Sequence, residues 1–376
     1  MKVPLAWRNL TQNRARTLVA AAGMSFTIVL AFVQMGFHAA LMRAATSLQD
    51  RLDFDVILVS PEYVYTRSPG TIPFARVKQA SSVEGVASAV PFYAKLGHWR
   101  HPETGMRREV MVLGFRPEDA PFLIQELCEG APLLVVPDTI LVDRITRPDY
   151  GPHPDGMVGE LDWRRVTVAG HYTLGLGFVV YGCVATSDET WSRVTGISLD
   201  RATFGLIKVA PGADPASVAR ALEGALPGDV RVFTRAGLEA HERDYWSTSS
   251  SFGLIFGSGV LVALLTTAII SYQVLATDIT NRMREYATLK ALGYRPVSVS
   301  LVVLRQGTIL AAAAWLVSVP VATVLGDLTG RATQLPVAMT LPRAIVVLVW
   351  TLAIAAIAGF VATRKLRAAD PAELFG

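Results

Sequence analysis

The order of apolar and polar positions divides the chain into four long apolar runs and one extended stretch of mixed character. A helix needs about 20 predominantly apolar residues to cross a bilayer. The runs at 17–42, 251–276, 298–326 and 344–363 meet that length. Residues 43–250, between the first run and the second, have the alternation and turn signals of a folded domain, at a size usual for one. The pattern therefore predicts an integral membrane α-helical protein: four transmembrane helices in a one-plus-three layout, with a large α/β extracytoplasmic domain inserted after the first.

Within that insertion, β-branched and apolar residues bounded by turn signals predict strands at 55–60, 86–99, 107–115, 164–172 and 204–209. Residues 214–226 read as a helix with Asp214 as its N-cap and Pro215 at its first position. A strand at 230–234 then completes a β-α-β unit. Residues 39–52 and 235–250 are expected to prolong the flanking spans as stalk helices, and Pro320 is expected to kink or loosen the third span.

Composition sharpens this picture. Hydrophobic residues make up 51% of the chain and charged residues only 18%, against about 25% charged in a soluble domain. Such a chain is not disordered. Its cations gather beside the apolar runs, which is how orientation signals look and not how a nucleic-acid surface looks. Lys2, Arg8, Arg14 and Arg16 precede the first run; Arg282, Arg284, Lys290 and Arg295 lie between the second and third; Arg364, Lys365 and Arg367 follow the fourth. The loop 327–343 has Arg331 and Arg343 alone. Both termini and the 277–297 loop are thus expected in the cytoplasm, with the inserted domain outside. The first run is too long for the apolar core of a signal peptide, about 7–15 residues, so an uncleaved anchor is expected. Cys128 and Cys183 are expected as separate thiols, with one disulfide as the alternative.

Little in the chain suggests catalysis. No lysine follows a glycine, so a Walker A sequence is absent, as are H-E-x-x-H, G-x-S-x-G and C-x-x-C. The adjacent His241 and Glu242 are expected on the surface, and no catalytic or metal site is expected. Residues 278–298 are more informative. Met283, Ala287, Leu289 and Leu292 form an apolar stripe at helical spacing, flanked by Arg282, Arg284, Glu285 and Lys290. Gly293 and Pro296 end it. A short helix of this kind suits either a groove on a cytosolic partner or a bed of lipid headgroups. Among polar residues inside the spans, Arg305 is expected to snorkel toward phosphates. Gln34 and His38 share one face of the first span and are expected to bond across the bundle, with a lateral opening as the alternative. Gly253 and Gly257, with Gly259 nearby, are expected to allow close helix contact at a dimer interface.

The stretch Arg284-Glu285-Tyr286-Ala287-Thr288-Leu289-Lys290-Ala291-Leu292-Gly293 resembles the coupling segment of FtsX-like/MacB-type ABC transporter permeases, closest to the DevC-type exporter branch. Trp7-Arg8-Asn9-Leu10 with Arg14 and Arg16 is similar to that superfamily's amphipathic N-terminal helix. Tyr245-Trp246 leading to Gly253-Leu254-Ile255-Phe256-Gly257, and Arg364-Lys365-Leu366-Arg367 followed by Asp370-Pro371-Ala372-Glu373, are similar to other characteristic segments of it. The resemblance implies a MacB-like periplasmic domain and a permease homodimer in the inner membrane, in contact with membrane lipid and not with nucleic acid. It implies a separate ABC ATPase, itself a dimer, which binds ATP and Mg2+, so that no cofactor belongs to this chain. Arg284, Glu285, Ala287, Leu289, Lys290, Ala291 and Gly293 would then contact that ATPase. Because only a short segment precedes the first span, the ATPase is expected on another polypeptide. A periplasmic membrane-fusion adaptor, a TolC-like outer-membrane channel and export of a glycolipid or other amphiphile are further implications. An FtsX-like regulator of a cell-wall hydrolase and a LolC-like lipoprotein extractor are the alternatives. A receptor would leave the coupling segment without a use.

Overall fold

The computed structural model describes residues 12, 14–175, 181–291, 296–333, 337 and 339–368. The chain divides into two compact units, Leu41–Ser250 and the remainder. Helix α1 spans Arg14–Ala45. It stops there instead of running on to residue 52. The Ser47 hydroxyl donates to the Ala44 carbonyl at 2.9 Å and Thr46 to Asp50 at 3.0 Å. Short hydroxyl side chains that bond locally in this way compete with helix continuation, and a 3-10 turn, Gln49–Arg51, follows.

The inserted domain is built from β1 (Val56–Val59), β2 (Ile72–Pro73), α2 (Phe74–Ala80), β3 (Val86–Arg100), β4 (Arg107–Phe115), α3 (Gln125–Gly130), β5 (Thr139–Asp143), β6 (Val158–Leu161), β7 (Arg164–Tyr172), β8 (Cys183–Ser187), α4 (Asp188–Thr195), β9 (Arg201–Ala202), β10 (Phe204–Val209), α5 (Pro215–Ala225), β11 (Arg231–Thr234) and α6 (Arg235–Asp244). Nine strands pair in the order β11-β1-β10-β3-β4-β8-β5-β7-β6, and β6 pairs again with β3. Six strands, β3 to β6 in that order, therefore close into a ring. The long β3 belongs to two neighbourhoods. Val86–Phe92 pair with β10, while Tyr93–Arg100 pair with β4. The β10-α5-β11 unit forms as its sequence predicts, with β1 antiparallel to both strands and between them. Asp214 caps α5 by accepting from the Ala216 and Ser217 amides.

Val56, Leu58, Val77, Ile207, Val218 and Leu222 form part of one core cluster, and Tyr93 and Trp191 belong to the same cluster. Trp191 lies so close to β4 that a Cβ on Gly114 would fall 2.6 Å from its side chain, so only glycine fits there. Cys183 is buried and Cys128 exposed, and both are free thiols. Burial pushes the Cys183 thiol well above its usual range.

Beyond α6 a π-helical turn, Tyr245–Ser249, leads to an extended Ser250 at φ −83° and ψ 140°. The expected unbroken helix over 235–250 therefore does not form. Thr248 donates to the Asp244 carbonyl at 2.7 Å and Ser250 to the Trp246 carbonyl at 2.6 Å, so hydroxyls again engage backbone acceptors where the helix fails.

The second unit adds α7 (Ser251–Asn281), α8 (Met283–Ala291), α9 (Pro296–Thr333) and α10 (Leu341–Ala368). Four of its helices carry stretches long and apolar enough to cross a membrane: Thr17–Ala45, Ser251–Asn281, Ser300–Gly330 and Leu341–Arg364. Met24, Ile28 and Phe32 of α1 pack against Leu310, Ala311 and Ala314 of α9 and against Ala344 and Val347 of α10. Hydroxyls tie the same helices. Ser25 donates to the Ala314 carbonyl and Ser318 to that of Ser25, both at 3.1 Å. Without water in the bilayer core, such bonds keep polar groups satisfied inside the bundle. Helix α9 runs through Pro320 without interruption.

Candidate functional site

A single residue, Arg282, separates α7 from α8. Its side chain is only 10% exposed and is held from several directions. Nε lies 3.3 Å from Asp278, one turn back on α7, and Nη1 lies 3.4 Å from Glu285 on α8. Nη1 also donates to the Gln12 side chain at 3.1 Å. The other Asp278 oxygen accepts from the Gln306 amide of α9 at 2.7 Å. One guanidinium thus links the N-terminal segment, α7 and α8 directly, and reaches α9 through Asp278. Charge-assisted bonds of this kind are the stronger class. Buried as it is, the guanidinium would be costly to leave unpaired.

The apolar side of α8 completes the anchorage. Tyr286, nearly fully buried, packs in a cluster with Leu275, Ala276, Ile279, Val303, Ala358 and Ala362, and Met283 packs against it. The anchoring face of α8 therefore runs through 283 and 286, continuing Ile279 of α7 at i, i+4 and i+7. Tyr286 was not in the stripe read from the sequence. Beside the polar cluster lies a cavity of about 320 Å3, lined among others by Thr17, Gln273, Asp278, Arg282 and Gln306. Two features thus tie α8 to the bundle: the buried Tyr286 and the Arg282 ion pairs.

The residues singled out in the sequence fall as follows. Arg284 and Glu285 are exposed on α8. Ala287, Leu289, Lys290 and Ala291 lie in α8, with side chains outside the described residues, as Gly293 is entirely. Gly253 is buried, whereas Gly257 is exposed with nothing within 4 Å of a Cβ built on it. The glycine that admits a neighbouring helix is Gly259, where a Cβ would meet the Gln34 side chain of α1 at 2.7 Å. Gln34 is thus packed inside the bundle against α7, and His38 is half-buried. Arg305 is exposed, while its neighbour Gln306 is the buried member of the polar cluster. Sequence reasoning stopped at Arg305 and passed over Gln306. The i, i+4 spacing of Asp278 and Arg282 at the end of an apolar run was the available signal.

His241 and Glu242 require a correction. Glu242 is wholly buried, not on the surface. Its Oε1 accepts from the Tyr63 hydroxyl and, at 3.0 Å, from Thr66, which in turn accepts from Gln49 at 2.6 Å. Burial raises the Glu242 carboxyl above its usual range, and burial together with that carboxylate raises the Tyr63 phenol. His241 is half-buried, with Nε2 3.0 Å from the Val64 carbonyl. Nearby, Arg235 donates to the carbonyls of Gln49, Leu52 and Phe54 at 2.5 to 3.1 Å and stacks over the Phe54 ring at 4.2 Å. The segments that begin and end the inserted domain are fastened together by this clamp.

Residues 250–371 match the family model described as FtsX-like permease C-terminal. No curated protein matches the chain. Among solved structures, the chain is similar to the extracellular domain of the ABC-type transporter YknZ from Gram-positive bacteria, at 12% identity and a TM-score of 0.34, over 48% of this chain and 99% of that one. It is also similar to the periplasmic region of MacB from Actinobacillus actinomycetemcomitans, at 11% identity and a TM-score of 0.35, over 50% of this chain and 92% of that one. Helices α7 to α10, and with them Asp278, Arg282 and Gln306, fall within the segment that matches the FtsX-like permease C-terminal model.

Proposed function

We propose that the chain is the permease subunit of an ABC-type exporter, in which α8 receives the motion of a separate ATPase and passes it into the spans. The observation that carries this reading is the anchorage of α8: a short helix within the FtsX-like segment, fixed to α7 and α9 through Arg282, Asp278 and Gln306. In such a machine ATP and Mg2+ are held by the partner, which closes and reopens beneath the permease. This chain supplies a lever and no catalytic group. Arg284 and Glu285, exposed on α8, face the partner in this reading, and the resemblance of the segment adds Ala287, Leu289, Lys290, Ala291 and Gly293 as contact residues. The Lys/Arg bias puts α8 and both termini in the cytoplasm and the inserted domain in the periplasm. There an adaptor and an outer-membrane channel would receive an amphiphilic cargo. The exposed Gly257 lies on a face suited to a second permease copy.

Capture of the tagged protein from its native membranes in mild detergent, with mass spectrometry of what accompanies it, tests the reading. A Walker-A ATPase together with an adaptor is the expected result. An ATPase with a cell-wall hydrolase would replace the exporter by a regulator, and absence of any ATPase would overturn the coupling role.

A further inference from the structure

A second cavity, of about 700 Å3, lies in the inserted domain, within the range of small-molecule sites. Three consecutive residues of β3, Ala94, Lys95 and Leu96, line it. Their side chains alternate between the two faces of the strand, so the wall they form is the strand's edge. The ladder explains why that edge is open. Even-numbered residues of β3 direct their amides and carbonyls away from β4. Phe92 accepts from the Thr203 amide, Ala94 exchanges two bonds with the Thr203 hydroxyl, and His98 is paired with Asp162. Leu96 lies between these pairs, where β10 has ended and β6 has not yet begun. Its N–H and C=O face the cavity.

The charges around this edge are unequal. Of the two carboxylates in the lining, Asp229 is engaged by Arg76 at 2.9 Å and Glu62 is exposed, so the three lining cations outnumber them by one. Of the cations, Arg67 is engaged by Glu109 at 3.0 Å. Lys95 and Arg201 have no carboxylate within ion-pair distance among the described residues. Lys95 donates to the Thr195 carbonyl at 3.2 Å. Arg201 gives Nε and one terminal nitrogen to Thr71, at 2.7 and 2.9 Å, which aims the guanidinium and leaves its other terminal nitrogen uncommitted. A further part of the lining, from Ser60 to Pro73, mixes polar side chains with prolines. It carries Pro61, Pro69 and Pro73, and Gly70 at φ +65° folds back so tightly that a Cβ would meet Ser60 at 2.7 Å.

We propose that this cavity binds a small ligand in which an amide precedes a free carboxylate, as in an N-acyl amino acid or a short peptide terminus. The amide pairs with Leu96 as an added strand would, the carboxylate lies between Lys95 and Arg201, and the apolar body rests on the prolines. This site goes beyond the coupling role of α8 and is independent of it.

Isothermal titration of the full-length protein in zwitterionic nanodiscs, in the absence of any ATPase, tests the proposal with N-hexanoyl-leucine and with acetyl-Ala-Leu. The carboxamide forms of both serve as controls. Saturable binding of at least one acid is expected, about tenfold tighter than its carboxamide. Which acid binds more tightly identifies acylated amino acids or peptides as the source. Lys95→Gln and Arg201→Gln should each erase most of the acid-over-amide preference, and Arg201→Lys should restore part of it. Equal binding of acid and carboxamide, no binding at millimolar concentration, or a preference unchanged in both variants would overturn the proposal.

Discussion

Two arginines hold the two units together internally, and they do so in different ways. Arg235, in the inserted domain, spends its donors on three backbone carbonyls, those of Gln49, Leu52 and Phe54. Arg282, in the membrane unit, is bound by side chains: Asp278, Glu285 and Gln12. Carbonyl acceptors are fixed by the fold, so the Arg235 clamp has one geometry. Carboxylate side chains on α7 and α8 have rotamer freedom that backbone carbonyls lack. The first arrangement suits a fixed joint, and the second suits the moving joint that the proposed coupling role requires.

Substitutions can break this contrast. Arg235→Ala should have the largest effect, because it strips charge-assisted donors from three carbonyls at once. A loss of about 2–3 kcal/mol is expected, read as a lower melting temperature of the full-length protein followed by tryptophan fluorescence. Arg282→Lys should instead spare folding and fail in coupling. A lysine is a point charge and cannot serve Asp278, Glu285 and Gln12 together. Transport per ATP hydrolysed by the reconstituted complex should fall about tenfold or more, with the melting temperature within a few degrees of wild type. If Arg282→Lys melts as early as Arg235→Ala, the two arginines do not differ in kind.

Two smaller changes sharpen the picture. Glu242 is buried beside the Arg235 clamp without a cation among its named partners. Its folded pKa is raised, so the folded state holds the proton to higher pH than the unfolded chain does. Stability is therefore greatest below the unfolded value, about 4.3, and declines as pH rises through the raised folded value. Glu242→Gln should flatten that decline and raise the melting temperature near pH 8, while the two proteins converge in acid. Gln306→Leu, which removes one bond to Asp278, should have the smallest effect, a two- to threefold loss of coupling efficiency, on the order of 0.5 kcal/mol.

Where the sequence was legible, one periodicity dominated. Strands β4, β7 and β10 appear with the expected ends because each is a run of apolar and β-branched residues bounded by turn signals. Strands β5 (TILVD) and β8 (CVATS) were missed because they are buried along their whole length, with Thr, Asp and Ser inside. Nothing alternates, and those polar residues find partners far along the chain: Thr186 donates to the Thr139 carbonyl. The Arg282 cluster was half legible. Its arginine stood in the amphipathic segment, but Gln306 and Gln12 are distant in sequence and uncharged. Glu242 was read as a surface residue from its bare adjacency to His241 in a polar stretch, RAGLEAHERD, while its partners Tyr63 and Thr66 lie much earlier in the chain.

The central claim is that α8 faces a protein and not lipid headgroups. A photo-crosslinking residue, p-benzoylphenylalanine, placed at the exposed position of Arg284 and irradiated in native membranes tests it most directly. The account predicts a crosslinked adduct with a nucleotide-binding ATPase subunit, lost when Glu285 on the same helix is also replaced by lysine. Adducts with lipid alone would contradict it and leave α8 as an interfacial helix.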